Sequence, residues 1–194
     1  MTAEIICVGT ELLLGDIVNT NAQFLSRELA ELGISVLHQH VIGDNPGRLR
    51  DLVKEAKSRS DLLVFSGGLG PTEDDLTKQT VARAFGDTLR FDEAELEKIR
   101  AFFTAWGRTM PENNKKQAMV PTHGRKIPNA NGTAPGMIFE DQEDYSIVDS
   151  TSFALMQHNP FSWVVDGTEF RCVERISAGA RYVDSTLANW VAQV

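Results

Sequence analysis

Short apolar runs that alternate with amphipathic segments are the feature that most restricts the fold of this chain. The runs at residues 4–8, 34–42 and 61–65 are rich in leucine or β-branched residues and have the length of buried strands. Between them, residues 17–32 and 46–59 carry apolar side chains at the spacing of one helix face. Strands and helices in this order form right-handed βαβ crossovers. We therefore predict an α/β fold with three layers, α/β/α, around a mostly parallel sheet.

Beyond the third predicted strand the pattern becomes less regular. Residues 75–85 and 92–106 are predicted to be helices, the second with Asp92 as its cap. Residues 121–135 are rich in Pro, Asn, Gly and Thr, which favours an irregular loop, and residues 137–140 could return to the sheet. From residue 142 onward no segment has a regular period, so no element is predicted there.

Charge and composition argue against several classes of partner. The chain has 194 residues, a net charge of −8 and an isoelectric point of about 5.0, so it lacks the positive field that holds a nucleic-acid backbone. Its two cysteines, Cys7 and Cys172, are far apart and fit reduced thiols better than a disulfide framework. No segment reaches the ~20 apolar residues that a membrane span needs. We therefore expect a cytoplasmic protein that binds neither nucleic acid nor membrane.

A glycine-rich segment, residues 66–77, directly follows the third predicted strand. Its sequence SGGLGPTEDDLT places Gly67, Gly68 and Gly70 between that strand and a helix, where open α/β sheets bind ligands. Glycines allow close backbone approach, so successive N–H groups and the helix N-terminus can bind phosphate oxygens. No lysine follows the glycines as in a P-loop, and their spacing differs from the dinucleotide fingerprint.

Two adjacent carboxylates, Asp74 and Asp75, stand in this segment where a phosphate would arrive. Like charges beside a phosphate are unfavourable unless they share a cation, which favours a hard divalent ion such as Mg²⁺. The alternative is that Asp75 caps the next helix and Asp74 is a solvated turn residue. The three glycines favour a ligand site, because a helix cap does not require them.

Two further polar segments are expected at the same edge of the sheet. The first is GTELLLG, at residues 9–15, in which Glu11 could take a metal or a ribose hydroxyl. For Glu11 alone the alternative is favoured, in which it is exposed and Thr10 or Asn19 caps the next helix. The second is NANGTAPG, at residues 129–136, which offers backbone and hydroxyl groups but could also be a plain turn.

Five blocks of the sequence together resemble one known family. They are GTELLLGDIVNTNAQFLSRELAELG, VIGDN, RSDLLVFSGGLGPTEDDLT, MPENNKKQAMVP and NANGTAPGM, and they follow one another within residues 3–140. In these blocks the chain resembles the N-terminal domain of the CinA (competence/damage-inducible protein A) family, within the molybdopterin-binding, MoCF-biosynthesis-like superfamily. The resemblance implies a three-layer α/β/α domain that self-associates as a homo-oligomer.

The resemblance also implies an activity. CinA-type domains hydrolyse the pyrophosphate of ADP-ribose to AMP and ribose 5-phosphate with a divalent metal, Mg²⁺ or Co²⁺, whereas the molybdopterin branch binds pterin or adenylate and promotes adenylyl transfer. Transferred to this chain, one aspartate of the acidic pair would also orient or deprotonate the attacking water. The residues implied to cradle phosphate are Gly67, Gly68, Gly70 and Thr72; those implied to hold the metal are Asp74 and Asp75; those implied to line or close the pocket are Glu11, Asn19, Asn21, Asn45 and Thr133.

The chain departs from the family pattern after residue 140. An apolar strand followed by a Pro-Gly-Pro-Pro loop is expected there, and QEDYSIVDSTSFALMQHNPFSWVV stands in its place. We assign residues 1–141 to the CinA-like domain and 142–194 to a divergent C-terminal segment, which could be an incomplete part of the same domain. Either the reading frame is disrupted near residues 141–143 or the C-terminus is a genuine divergent one. Two functions stay open: a metal-dependent pyrophosphatase, and a pterin- or nucleotide-binding domain without turnover.

Overall fold

The computed structural model describes residues 1–129 and 132–140, together with the strands at residues 153–157, 172–176 and 179–183. In chain order the elements are β1 (Thr2–Val8), α1 (Thr10–Leu14), α2 (Thr20–Glu31), β2 (Ser35–Ile42), α3 (Pro46–Lys57), β3 (Leu62–Ser66), α4 (Thr77–Ala84), β4 (Leu89–Phe91), α5 (Glu93–Ala105), a 3₁₀ helix (Glu112–Ala118), β5 (Met119–Pro121), β6 (Arg125–Ile127), β7 (Gly136–Ile138), β8 (Phe153–Gln157), β9 (Cys172–Ile176) and β10 (Gly179–Val183).

The main sheet has six strands in the order β2-β1-β3-β8-β7-β6. Strand β1 pairs in parallel with β2 and β3, and β3 pairs in parallel with β8. Strand β7 runs antiparallel to both of its neighbours, β8 and β6. The predicted α/β fold with a mostly parallel sheet is therefore confirmed. Strands β4 and β5 pair separately, as do β9 and β10.

An apolar cluster on each face of the sheet packs helices against it, which gives the three layers. Along β1, Ile6 and Val8 pack into a cluster that contains the buried residues of α3 and α4. The alternating residues Ile5 and Cys7 pack into a second cluster with the buried residues of α2. Because successive side chains of a strand point to opposite faces, the unbroken apolar run at residues 5–8 of β1 requires helices on both sides. Cys7 is 1% exposed and is therefore a core residue.

Several predicted boundaries shift in the structure. The helix predicted at residues 17–32 begins at Thr20 with Asn19 as its cap, and the short helix α1 was not predicted. The loop predicted at residues 121–135 is wrong in part, because Arg125–Ile127 forms β6. A three-residue strand shows no period in the sequence, and its pairing with β7 decides its conformation.

The region without predicted elements contributes the backbone of three strands. Of these, β8 lies in the main sheet between β3 and β7. The domain boundary at residue 141 and the two explanations of the divergent C-terminus stay predictions. In the part of the chain that the structure describes, no helix has the length and apolarity needed to cross a bilayer.

Candidate functional site

A cleft of about 240 Å³ opens at the carboxyl edge of the sheet. It lies where β1 ends at Val8 and β3 ends at Ser66, with the end of β2 beside them. The carboxyl ends of parallel strands meet at one edge, so the loops that follow three different strands converge here. Seven of the predicted site residues line this cleft: Glu11, Asn19, Asn21, Gly67, Gly68, Asp74 and Asp75.

The glycine-rich loop passes too close to its surroundings for any side chain at two positions. Gly67 has a φ of 97°, and a Cβ there would lie 2.0 Å from the carbonyl oxygen of Val8. Gly68 has a φ of 67°, and a Cβ there would lie 1.8 Å from Oγ1 of Thr77. Both residues therefore need to be glycine, for left-handed backbone and for space. The loop is pressed onto the end of β1 on one side and the start of α4 on the other.

The first turn of α4, beneath the loop, has polar groups without partners. Its N-cap position is Leu76, which provides no capping side chain. The hydroxyl of Thr77 is buried and makes no hydrogen bond within the described structure. A buried hydroxyl without a partner costs about 1–3 kcal/mol, so such a group calls for an explanation. An uncapped helix N-terminus below a glycine loop is suited to an anionic ligand.

The acidic pair is held by the loop itself. Oδ2 of Asp75 accepts hydrogen bonds from the backbone N–H of Thr72, at 2.9 Å, and from the Thr72 hydroxyl. Asp75 therefore does not cap α4, so that part of the alternative is wrong, whereas Asp74 is an exposed turn residue as the alternative has it. Asp74 is exposed, and its pKa lies below its ordinary value because the Thr72 hydroxyl and its own backbone N–H stabilise the anion, with the charge of Lys116 adding to the effect. Asp74 is thus ionised at neutral pH.

The opposite wall of the cleft comes from α1 and the start of α2. Oδ1 of Asn19 accepts a hydrogen bond from the N–H of Ala22 at 3.1 Å, so this residue caps α2 and lines the cleft at once. Nδ2 of Asn21 donates to Oγ of Ser66 at 2.8 Å, which ties α2 to the end of β3. Glu11 is exposed on α1 and lines the cleft, and its carboxylate has no hydrogen-bond partner among the described residues.

Comparison with known proteins identifies the family of this chain. Residues 4–157 match the family model described as "Probable molybdopterin binding domain". A solved structure of the protein CinA, of unknown function, from Thermoplasma acidophilum is 35% identical; the match covers 81% of this chain and 87% of that one, with a TM-score of 0.67. The chain belongs to the CinA family.

Curated CinA-family relatives extend the comparison. CinA-like proteins from Microcystis aeruginosa and Crocosphaera subtropica are 55% and 54% identical to this chain over 148 residues. In both cases the match covers 76% of this chain and 36% of the relative. The chain thus spans about a third of the length of these CinA-like proteins.

The donor set of the CinA-family cleft fits a hard divalent ion that substrate also ligates. In the described residues no group of three or more His, Cys, Asp and Glu side chains converges on one point. Magnesium commonly keeps several waters and is held by one or two carboxylates plus substrate phosphates. Asp74 and Asp75, side by side on the loop, supply that number of carboxylates.

Four of the residues predicted from the CinA resemblance lie outside the cleft wall. Asn45 caps α3, where its Oδ1 accepts a hydrogen bond from the N–H of Arg48 at 2.9 Å. Thr72 contacts Asp75 from within the loop, and a Cβ on Gly70 would lie 2.3 Å from Oδ2 of that carboxylate. Thr72 and Gly70 therefore lie against Asp75 and do not line the cleft themselves. Thr133 is half-buried in the segment before β7 and is not among the described residues that line the cleft.

Asp44 is one of the cleft residues that were not predicted from the sequence. It follows β2, and its Oδ2 accepts hydrogen bonds from the N–H and hydroxyl of Thr10 at 3.0 and 2.8 Å. This contact joins the loop after β2 to the start of α1 at the cleft. The signal was present, because Asp44 stands at the carboxyl end of a predicted strand, as the glycine-rich loop does.

Proposed function

We propose that this CinA-family domain hydrolyses the phosphoanhydride of a nucleotide sugar such as ADP-ribose, giving AMP and ribose 5-phosphate, with Mg²⁺ or Co²⁺. The observation that carries the proposal is the glycine loop whose neighbours leave no room for a Cβ, with two carboxylates beside it. A loop of this kind presents backbone N–H groups to phosphate oxygens, and the carboxylates are explained by a cation that phosphate and protein share.

The residues of the cleft divide the chemistry between them. The backbone at Gly67 and Gly68, together with the uncapped N-terminus of α4, would hold phosphate oxygens and favour their negative charge. Asp74 and Asp75 would hold the divalent ion, which when bound neutralises charge on the pyrophosphate and acidifies a water. Because Oδ2 of Asp75 is committed to Thr72, its Oδ1 is the atom left to bind the ion or to accept a proton from the attacking water.

The opposite wall supplies groups for the sugar part of the ligand. The carboxylate of Glu11 can accept hydrogen bonds from ribose hydroxyls, and the amide of Asn21 has capacity beyond its bond to Ser66. Carboxylates that accept hydrogen bonds from ribose hydroxyls recur in nucleotide-binding sites. A small-molecule ligand is therefore the expected partner, and self-association as a homo-oligomer stays a prediction from the family resemblance.

A second candidate is a domain that binds molybdopterin or a nucleotide without turnover. It is favoured by the description of the matching family model, which names molybdopterin binding and no reaction. In that case the same loop would hold the ligand phosphate, and the acidic pair would not have to act on a water. Hydrolysis requires both aspartates and a metal, whereas binding alone would survive their replacement by asparagine.

The deciding experiment is release of AMP from ADP-ribose by the purified chain with Mg²⁺ or Co²⁺. We expect metal-dependent release that falls about a hundredfold or more in Asp74→Asn and Asp75→Asn, as expected for loss of a group that acts on the reacting atoms. Asp51→Asn is the control, since Asp51 is an exposed aspartate of α3 that pairs with Arg50. Absence of AMP, with ADP-ribose or molybdopterin still bound in calorimetry, would replace the hydrolase by the binding domain.

A further inference from the structure

The 3₁₀ helix Glu112–Ala118 carries side chains that hold the glycine-rich loop from a distant part of the chain. Gln117 is 1% exposed, and its Nε2 donates to the carbonyl oxygen of Leu69 at 3.2 Å. Its Oε1 in turn accepts from Nδ2 of Asn114 at 2.8 Å. Both ends of the buried amide are thus satisfied, and one of them fixes the carbonyl of a loop residue.

Lys116, from the same helix, reaches the other side of the loop. Its Nζ donates to the carbonyl oxygen of Thr72. Thr72 then donates from its backbone N–H and its hydroxyl to Oδ2 of Asp75. A continuous path of hydrogen bonds therefore runs from Lys116 through Thr72 to a carboxylate of the candidate site.

The 3₁₀ helix is itself fixed to the helix that begins beneath the loop. Nζ of Lys78, in the first turn of α4, donates to the carbonyl oxygen of Lys116 and, at 3.2 Å, to that of Met119. The base of the Lys116 side chain is thus anchored to the same helix whose N-terminus lies under the loop. Loop, α4 and 3₁₀ helix form one hydrogen-bonded unit.

The neighbouring Lys115 shows what a lysine of this helix does when it has no such role. It is half-buried, as Lys116 is, and pairs with Glu112, its Nζ lying 2.6 Å from Oε2 of that carboxylate. Lys116, by contrast, has no carboxylate within ion-pair distance among the described residues. Its ammonium instead donates a hydrogen bond to the backbone carbonyl of Thr72. Ordering a lysine side chain costs conformational entropy, and here the ordered side chain fixes the loop.

We propose that Lys116 is a positioning residue of this site, which holds Thr72 and through it sets the orientation of Asp75, with Gln117 fixing the loop at Leu69. The expected effect of Lys116 on the rate rests on the proposed hydrolysis. The expected effect on the order of the loop rests on the hydrogen-bond path alone. Lys116 is not required to touch the substrate. A carboxylate that must act on a water tolerates little misplacement, and an error of about 1 Å can lower a rate a hundredfold.

The kinetic test compares Lys116→Met with Lys115→Met and Lys116→Arg in AMP release from ADP-ribose. We expect kcat to fall about tenfold or more in Lys116→Met with KM changed less than about threefold, because orientation is lost while binding groups remain. Lys115→Met is expected to behave as wild type, and Lys116→Arg to recover most of kcat because it keeps a donor for Thr72. A rise in KM at unchanged kcat would overturn the proposal, since it would make Lys116 a substrate contact.

Hydrogen exchange of the peptide covering residues 66–77 tests the structural part without any substrate. We expect faster exchange in Lys116→Met than in wild type or Lys115→Met, with the thermal midpoint of all three proteins nearly equal. Unchanged exchange in Lys116→Met would overturn the positioning role. If the wild type releases no AMP, the proposed hydrolysis fails by itself, and the exchange comparison still decides whether Lys116 holds the loop.

Discussion

The space that a Cβ would need at Gly70 is occupied by a different kind of group than at the two preceding glycines. A Cβ at Gly67 would meet the backbone of Val8, which cannot move without disturbing β1. A Cβ at Gly70 would lie 2.3 Å from Oδ2 of Asp75, the end of a side chain that can rotate away. The left-handed backbone of Gly67 is also absent at Gly70. Glycine at position 67 is therefore required for the fold, whereas glycine at position 70 is required for the orientation of the Asp75 carboxylate.

Gly70→Ala is expected to separate these two roles. The variant should fold with nearly normal stability and lose about tenfold or more of the proposed AMP-releasing activity, because Asp75 must leave Thr72. Gly67→Ala should instead lower the free energy of unfolding by more than about 2 kcal/mol, from backbone strain and overlap together. Chemical denaturation and AMP release measure the two effects. Full activity in Gly70→Ala would show that the Thr72 contact of Asp75 is dispensable.

At the residue scale, the sequence reveals those groups whose signal is local. Gly67, Gly68 and the acidic pair are adjacent to a predicted strand end, and all of them line the cleft. Lys116 and Gln117 have no such signal, because they reach the loop from 44 and 48 residues away in the chain. Their role depends on how a 3₁₀ helix packs, and no periodicity in the sequence encodes that packing.

The first turn of helix α4 contains a lysine that is almost completely buried. Lys78 is 1% exposed, and both acceptors of its Nζ are backbone carbonyls of the segment that ends the 3₁₀ helix. Burial, with the positive charge of Lys116 nearby, lowers the pKa of Lys78 to about 7, and the charge of Asp75 opposes this shift. The junction between α4 and the 3₁₀ helix therefore holds an amine whose protonated form is destabilised.

This junction predicts how stability changes with pH. The unfolded lysine titrates near 10.5 and the folded one near 7, so the unfolded chain binds more protons in between, and the contribution of Lys78 to stability rises as the pH rises. Between pH 7 and 9 the gain is about 2 kcal/mol in the free energy of unfolding. Lys78→Met should lack this rise, and denaturation of both proteins at the two pH values measures it. Parallel pH profiles would contradict the assignment.

Sequence predictions of elements succeed where caps and long periods mark them. Asp92 caps α5 as predicted, accepting from the N–H of Glu95 at 3.1 Å, and Gly33 follows α2 with a φ of 74°, as glycines that end helices commonly do. Strand β6 was missed because three residues carry no period, and β8 because its neighbours in the sheet, not its own sequence, define it. Short elements gain their conformation from tertiary pairing, which single-sequence patterns do not contain.

At the scale of the whole molecule, a buried carboxylate joins the end of one crossover to the sheet. Glu4 is on β1, between the parallel strands β2 and β3, and is 0% exposed. Nε of Arg59 and Oγ of Ser60, just after α3, donate to its Oε1 at 2.6 and 2.8 Å. His40 of the edge strand β2 hydrogen-bonds its Oε2 at 2.8 Å. One side chain thus links β1, β2 and the connection that leads into β3.

The pKa of Glu4 reports how much this link contributes. Burial alone would raise its pKa, but the hydrogen bonds from Arg59, Ser60 and His40 outweigh burial and lower the value from 4.5 to about 2. Because the folded pKa lies below the unfolded one, the stabilisation is complete above pH 4.5 and is lost as the pH falls towards 2. The shift corresponds to about 3 kcal/mol of stability at neutral pH.

Glu4→Gln should therefore lower the free energy of unfolding by about 3 kcal/mol at pH 7, as measured by chemical denaturation. The matched control is Glu55→Gln, which removes the exposed partner of the same Arg59 and should cost less than about 1 kcal/mol. The difference between wild type and Glu4→Gln should shrink as the pH falls from 4.5 towards 2, because both proteins then carry a neutral side chain at this position. Equal losses in the two variants would assign the stabilisation to Arg59 in general, and a difference that persists at pH 2 would assign it to packing.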